Sequence, residues 1–330
     1  MKTDIIATLG PASFSEPVME KLLQAGASIF RINGSQAEAR EIESMIHQIR
    51  KSLGTSVGIL VDLPGNKVRL QGLPENLKLK IGDEVELFRH QVNFDSFVGL
   101  LEVGEMLLTN DGLTHLEVIK VDKGEKALLR CHSEGEFKNK RGLHTSRSHD
   151  LPFLFDKDRE LLKMSRRCGL DYLGLSFVRT PEDVLSVQEI LKGTEVKQFV
   201  KIETREAVEN LDTILSHTDQ VLIDRGDLCA AIPYTKLPSV QSMILKKAKA
   251  ANVKVALATQ FLYSMVTRNT PLISEIEALY YAIAAGASAI QLSEETSIGQ
   301  YPVEAVRVVA AIREEVYGRR TSTKEVFVYE

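Results

Sequence analysis

The feature that most constrains the fold is a regular alternation of short apolar runs and longer amphipathic stretches. The short runs have the length and composition of buried strands, and helical spacing of apolar residues follows them. Such alternation is typical of βα units around a parallel sheet. The eight predicted strands are Ile5–Thr8, Ser28–Arg31, Gly58–Asp62, Tyr172–Leu175, Gln198–Ile202, Gln220–Asp224, Val255–Ala258 and Ala289–Leu292. Eight strands with eight connections predict an α/β fold, a closed (β/α)8 TIM barrel.

The third connection differs from the others because more than ninety residues separate Asp62 from the next predicted helix. Helical periodicity is poor there, and short strand-like runs with hairpin signals at Asn110–Gly112 and Asp122–Gly124 replace it. The sequence therefore predicts a small all-β domain at 71–150, inserted after strand 3 into a barrel made of 1–70 and 151–318. Residues 319–330 form a predicted tail. The insertion is interpreted as a lid, with a purely decorative loop domain as the alternative.

Composition excludes several functional classes. The net charge of −4 over 330 residues gives no polycation signal for nucleic acid. No apolar run approaches the roughly 20 residues that span a bilayer, and the first ten residues are too polar for a signal peptide. The three cysteines lie far apart and have no metal-binding spacing. These observations predict a cytoplasmic protein with neither a nucleic acid nor a membrane as partner.

The residues at the predicted strand ends are unusually polar for a packing role. Chemistry in barrel enzymes takes place at these ends. Lys201 and Glu203 are two residues apart, so both point to the same side of their strand, the barrel interior. Glu203 and Asp227, expected on adjacent strands, would hold a hard cation such as Mg²⁺. The alternative is a buried Lys–Glu ion pair with Asp227 on the surface.

Several motifs, in their order along the chain, resemble those of the pyruvate kinase family. They are TLGPAS at 8–13, AGASIFRINGS at 25–35, LSFVR at 175–179, KIET at 201–204, DRGDL at 224–228, ATQFLYSM at 258–265, QLSEET at 291–296 and GQYPVEAV at 299–306. The resemblance runs from about residue 3 to residue 317, and the predicted insertion falls at the family's position.

The resemblance implies a role for each polar residue at the strand ends. Mg²⁺ (or Mn²⁺) would bind Glu203 and Asp227, and K⁺ would bind Asn33, Ser35, Asp62 and the Leu63 carbonyl. The implied catalytic residues are Lys201, Thr259, Arg31, Ser293 and Glu295. The implied contacts to substrate and nucleotide are Arg31, Arg69, Gly226, Asp227, Thr259, Ser176 and Lys140. Lys140 lies in the basic run KNKRG, for which a solvated loop is an equal interpretation.

The reaction that the resemblance implies is phosphoryl transfer between phosphoenolpyruvate and ADP, which gives pyruvate and ATP. Two alternatives stay open, a kinase of another small hydroxy or enol acid and an enolate-forming lyase of the same barrel superfamily. A homodimer is expected. The resemblance does not include the family's usual C-terminal regulatory domain, so an effector site of that domain is not expected.

Departures from the family's pattern concentrate in the half of the site that recognises nucleotide and substrate. They are Gly34, Gln36, Pro64, Lys67, Asp224, Cys229, Leu272, Ile273 and Glu294. Asp224 matters most, because the family keeps a small residue there, beside the substrate's methyl end. A carboxylate at this position would disfavour a methyl and favour a hydroxyl or an amine, or it would pair with a Lys; the alternative is that Asp224 points into a neighbouring loop.

Overall fold

The computed structural model describes residues 3–109, 113–145 and 149–321, the last three without their side chains. The chain divides into two compact units, residues 1–64 with 156–330 and residues 65–155. The predicted hairpin signal at Asn110–Gly112 and most of the predicted tail lie outside the described residues.

The first unit is a closed barrel of eight parallel strands, ordered β1-β15-β14-β13-β12-β11-β3-β2. The strands are β1 (Asp4–Thr8), β2 (Ile29–Asn33), β3 (Gly58–Asp62), β11 (Tyr172–Leu175), β12 (Lys197–Ile202), β13 (Gln220–Asp224), β14 (Lys254–Ala258) and β15 (Ala289–Leu292); β4 to β10 belong to the second unit. The predicted (β/α)8 barrel is confirmed, with four strands at the predicted bounds and the others within two residues of them.

The barrel interior has an apolar layer, called here the interior cluster. It consists of Ile6, Ile29, Leu60, Phe199, Leu222, Ala256, Ala258 and Ala289. Because side chains alternate along a strand, the position two residues after a member of this cluster also faces inward. On six strands that position is polar, and the residues there are Thr8, Arg31, Asp62, Lys201, Asp224 and Gln291. An apolar core thus supports a polar layer at the C-terminal ends of the strands.

Helices connect the barrel strands. In the first unit they are α1 (Glu16–Gln24), α2 (Ala39–Leu53), α4 (Asp156–Ser165), α5 (Pro181–Leu191), α6 (Arg205–Glu209), α7 (Leu211–Leu215), α8 (Arg225–Ala231), α9 (Leu237–Ala250), α10 (Ile273–Ala284), α11 (Glu294–Ser297) and α12 (Pro302–Thr321). Helix α2 buries Ile42, Ile46 and Ile49, which lie on one face at helical spacing. Across the described ranges, no helix is both long enough and apolar enough to cross a membrane.

The second unit consists mainly of antiparallel strands. They are β4 (Leu77–Leu79), β5 (Glu84–Phe88), β6 (Met106–Thr109), β7 (Thr114–Asp122), β8 (Lys126–Cys131), β9 (Gly135–Phe137) and β10 (His144–Thr145), with the short helix α3 (Phe97–Leu100). They form a five-stranded sheet, β10-β6-β7-β8-β5, and a two-stranded sheet, β4-β9. The predicted hairpin turn after Asp122 is confirmed, with Lys123 and Gly124 at φ values of 46° and 77°. This unit has its own apolar core, which includes Phe97 and Phe137.

Candidate functional site

Lys201 lies in the middle of the polar layer, near the C-terminal end of β12. Its ammonium is 2.7 Å from Glu203 Oε1 and 3.3 Å from Asp62 Oδ2. It also lies 3.7 Å from Asp224 Oδ2 and donates to Ser176 Oγ at 3.1 Å. Burial alone would lower the pKa of Lys201, but the three carboxylates outweigh burial and raise that pKa above its ordinary value. Lys201 is therefore a fixed positive charge in a buried site.

Asp62, the last residue of β3, pairs with two cations and lies against two glycines. Its Oδ2 accepts from Arg31 Nε at 2.9 Å. Burial would raise the pKa of Asp62, but Lys201 and Arg31 outweigh it and hold that pKa below its usual value. A Cβ on Gly174 would lie 2.0 Å from Asp62 Oδ1, and one on Gly34 would lie 2.2 Å from the Asp62 backbone oxygen. Both glycines thus permit a close approach to Asp62 that a larger residue would prevent.

The carboxylates of Glu203, Asp224 and Asp227 form a cluster that could hold a metal ion. One oxygen from each lies within 4.8 Å of the others. Burial raises the pKa of Glu203 to about 7, with Lys201 opposing the rise and Asp227 adding to it. Burial and the mutual repulsion of the carboxylates both disfavour their charged forms, and a bound cation would relieve the repulsion. Carboxylate oxygens in this arrangement are the ligands that Mg²⁺ prefers.

The backbone at Phe177 fixes the orientation of Glu203. Phe177 follows β11 with φ at 58°, a value that non-glycine residues rarely adopt. Its N–H donates to Glu203 Oε2 at 2.8 Å. Strained backbone of this kind is found most often at functional sites, where the surrounding structure supports it.

Asp224 ends β13 and caps α8. Its Oδ1 accepts from the backbone N–H of Gly226 at 3.2 Å, and its other oxygen faces Lys201. Of the two orientations that the sequence leaves open for Asp224, the structure shows the one directed at the site. The same Gly226 N–H also donates to Thr259 Oγ1 at 2.9 Å. A substrate carboxylate at Gly226 would therefore compete with both of these oxygens.

Thr259 and Gln260 follow β14 with φ values of 68° and 55°, a second strained segment at the rim. Arg225 supports it, because its Nε donates to the Thr259 carbonyl oxygen at 3.1 Å. The guanidinium of Arg225 also lies 3.7 Å from the centre of the Phe261 ring. Burial lowers the pKa of Arg225 to about 10. Arg225 thus positions Thr259, which in turn contacts the first turn of α8.

Glu295 and Ser293 lie together after β15. Glu295 is 1% exposed, and its Oε2 accepts from the Ser293 N–H at 2.8 Å. Its Oε1 accepts from the Leu262 N–H at 3.2 Å, and burial raises the pKa of the carboxyl. The carboxylate thereby links the ends of β15 and β14.

The four residues predicted to bind K⁺ come from β2 and β3 or follow them directly. Asn33 and Asp62 pair in register, and Asn33 Oδ1 accepts from both the N–H and the hydroxyl of Ser35. Leu63 is buried and donates its N–H to the Gly174 carbonyl oxygen at 2.9 Å. Within the described ranges, Asp62 Oδ1 is buried and accepts no hydrogen bond, so it is an oxygen suited to a cation.

Arg69 and Lys140 belong to the second unit. The backbone N–H of Arg69 donates to Asn93 Oδ1 at 2.8 Å, and Arg69 pairs with Gly142 in an isolated bridge. Lys140 is exposed and has a φ of 67°. Their contact with substrate or nucleotide stays a prediction.

The structure corrects one detail of the sequence interpretation and adds one residue to the site. Asp227 does not come from a strand: it lies in the first turn of α8 and is half-buried, whereas Glu203 directly follows β12. The interpretation missed Gln291, which is 1% exposed in the polar layer. The sequence contains one signal for this residue: Gln291 lies two residues after Ala289 in the apolar run of β15, so both side chains face the barrel interior.

Comparison with known proteins agrees with this geometry. A sequence profile described as "Pyruvate kinase, barrel domain" matches residues 1–306. The pyruvate kinase of Staphylococcus haemolyticus is 35% identical over 330 residues, and that of Bacillus licheniformis is 34% identical over 326. These alignments include 94% and 93% of this chain but 56% of each relative, so the chain spans about half their length. The chain belongs to the pyruvate kinase family.

Proposed function

We propose that the chain transfers a phosphoryl group between an enol phosphate of a small carboxylic acid, phosphoenolpyruvate in the simplest case, and ADP. The bond from phosphorus to the C2 oxygen breaks, and a β-phosphate oxygen of ADP bonds to phosphorus. The enolate then takes a proton at C3, giving pyruvate and ATP. The observation that carries the proposal is Lys201, held as a buried cation beside the carboxylates of Glu203 and Asp62.

Lys201 and Arg31 would stabilise negative charge on the transferring group. Both are buried, and both are anchored by Asp62. Arg31 also donates to Thr8 Oγ1 at 3.1 Å, so its guanidinium is fixed at two points. Positive charges held before the substrate arrives need little reorganisation as charge spreads over the phosphoryl oxygens. Family membership and this geometry support a kinase over the enolate-forming lyase.

Glu203 and Asp227 would hold the divalent cation, Mg²⁺ or Mn²⁺, and Asp224 adds a third carboxylate beside them. Asn33, Ser35, Asp62 and Leu63 would hold K⁺, which the unpartnered Asp62 Oδ1 supports. Cations bound there would neutralise oxygens of the substrate as phosphoryl transfer proceeds. Thr259 would orient the acid, while Ser293 and Glu295 would hold the water that delivers the proton to C3.

A direct assay tests the proposal. The protein is mixed with phosphoenolpyruvate, ADP, Mg²⁺ and K⁺, and pyruvate is followed, with Mg²⁺-dependent binding of oxalate measured separately as a mimic of the enolate. Turnover that Lys201→Met abolishes supports the proposal. Absence of both turnover and oxalate binding overturns it. Absence of turnover with oxalate binding retained keeps the acid site and excludes phosphoenolpyruvate as the substrate.

The remaining expectations about partners and location are part of the same proposal. A cytoplasmic enzyme of this kind would take small molecules and neither a nucleic acid nor a membrane. The predicted homodimer is tested by light scattering coupled to gel filtration. A monomeric mass would refute it without affecting the proposed chemistry.

A further inference from the structure

Gln291 carries a buried amide that the proposed reaction does not use. Among the described residues, neither its nitrogen nor its oxygen has a hydrogen-bond partner, although the residue is only 1% exposed. Buried amides in folded proteins are almost always paired. An amide without a protein partner at the rim of a candidate active site therefore indicates that a group of the ligand pairs with it.

The strand register shows where Gln291 points. It pairs with Ile6 of β1 on one side and with Ala258 of β14 on the other. Both neighbours belong to the interior cluster. Side chains in register on adjacent parallel strands point to the same face, so Gln291 also points into the barrel.

Asp224 lies at the same level as Gln291. It pairs in register with Ala258, the residue that Gln291 meets from the other side. Asp224 and Gln291 are therefore two strand spacings apart, roughly 10 Å between Cα atoms. The side chain between them is only a methyl group, so two longer polar side chains flank a small one. A small polar group bound at this level of the barrel would therefore lie between a carboxylate and an amide that has no partner among the described residues.

We propose that Asp224 and Gln291 form a polar specificity pocket for a hydroxyl group on C3 of the acid, the carbon that is the methyl group of pyruvate. The proposal rests on the proposed function and names its substrate class, a 3-hydroxy-2-oxo acid and its enol phosphate. The hydroxyl donates to the Asp224 carboxylate and accepts from the Gln291 amide nitrogen. Without that hydroxyl the Gln291 amide nitrogen stays buried and unpaired, and sites built for a hydroxyl discriminate strongly against analogues that lack it.

An ammonium group fits the pocket less well than a hydroxyl. It could donate to Asp224 and to the Gln291 amide oxygen, but it offers no acceptor for the amide nitrogen. It would also lie close to the Lys201 ammonium, which is 3.7 Å from Asp224 Oδ2. Two cations sharing one carboxylate repel each other, whereas a hydroxyl is neutral.

Calorimetry at saturating Mg²⁺ tests the pocket with three probes: oxalate, pyruvate and 3-hydroxypyruvate. We expect the unaltered protein to bind 3-hydroxypyruvate at least about 10-fold more tightly than pyruvate, since one unpaired buried group weakens binding by roughly that factor. Gln291→Met, which keeps the charge of the site, should bring the ratio close to one. Asp224→Ala should do the same. Gln198→Met is the matched control, because Gln198 also has an unpaired amide oxygen but lies at the opposite end of the barrel.

The probes separate failure of the pocket from failure of the proposed function. Oxalate has no third carbon, so its binding reports on the metal and acid site alone. If oxalate does not bind, the proposed function fails and the pocket loses its role with it. If oxalate binds and pyruvate is preferred to 3-hydroxypyruvate, the pocket is refuted. A ratio that Gln291→Met leaves unchanged refutes it as well, and this variant is decisive if Asp224→Ala does not fold.

Discussion

Replacing Asp224 by asparagine removes one charge from the candidate metal site with almost no change in shape. Asparagine caps a helix as well as aspartate does, so the hydrogen bond from the Gly226 N–H at 3.2 Å can be retained. The polar layer and the metal cluster together hold two cations, Lys201 and Arg31. They also hold four carboxylates, which are Asp62, Glu203, Asp224 and Asp227. The formal charge of the six groups therefore changes from −2 to −1.

The size of the effect follows from the distances. Two unit charges 4 Å apart interact by about 4 kcal/mol at an effective dielectric of about 20, and a divalent ion doubles this. Desolvation and the attraction of Asp224 to Lys201, 3.7 Å away, offset most of that energy. We expect a net loss of about 2 kcal/mol in Mg²⁺ binding, roughly 30-fold in affinity. Oxalate should bind the Mg²⁺-loaded variant several-fold more tightly, because the loaded site becomes more positive.

Titration calorimetry measures both affinities in Asp224→Asn and in the unaltered protein. Asp212→Asn is the control, because Asp212 lies 2.7 Å from Lys247 and is 73% exposed. Exposed pairs of this kind contribute little, so the control should change neither affinity. Opposite changes in Mg²⁺ and oxalate affinity distinguish a charge effect from local unfolding. An unchanged Mg²⁺ affinity, or a decrease in both, would refute the placement of Asp224 in the metal's field.

Three further variants test the packing and charge of the same site. Lys201→Met should lower kcat by at least about 1,000-fold in the pyruvate assay and strengthen Mg²⁺ binding, since a competing cation is lost; weaker Mg²⁺ binding would contradict this. Gly174→Ala should cost about 1–3 kcal/mol in urea unfolding because its Cβ meets Asp62 Oδ1 at 2.0 Å. Gly34→Ala should cost more, since its Cβ meets backbone at 2.2 Å. Gly318→Ala is the control, because an added Cβ there would meet nothing within 4 Å beyond its chain neighbours and its own helix backbone; equal stability of the three glycine variants would refute the close-approach argument.

The barrel could be predicted from the sequence because its strands are buried on both faces and read as short apolar runs. Gly58–Asp62 and Tyr172–Leu175 were predicted at their observed bounds for this reason. The end of β2 was placed two residues too early, at Arg31. The backbone ladder continues to Asn33, in register with Asp62. Side chains become polar at the rim before the strand ends, so an apolar pattern underestimates strand length there.

The site was only partly predictable because tertiary contacts decide where its side chains point. Period-two spacing was enough to place Lys201 inside the barrel. The orientation of Asp224 depends on Lys201 from another strand and on the first turn of α8, neither of which its own sequence neighbourhood specifies. Gln291 was missed because one amide in an apolar run looks like an ordinary strand residue. Its importance depends on the absence of a hydrogen-bond partner among the described residues, which only the folded structure shows.

The two unusual polar residues, Asp224 and Gln291, are linked by charge as well as by position. With a divalent cation bound, the six charged groups and the metal sum to zero before any monovalent ion is counted. A third anionic group on the substrate would gain little from such a site, and an ammonium would meet Lys201. Gln291 supplies a donor without altering this balance. The two groups that flank the substituent are a carboxylate already shared with Lys201 and an amide without a partner among the described residues, and a neutral group that both donates and accepts suits them best, which is the reason a hydroxyl fits better than either ion.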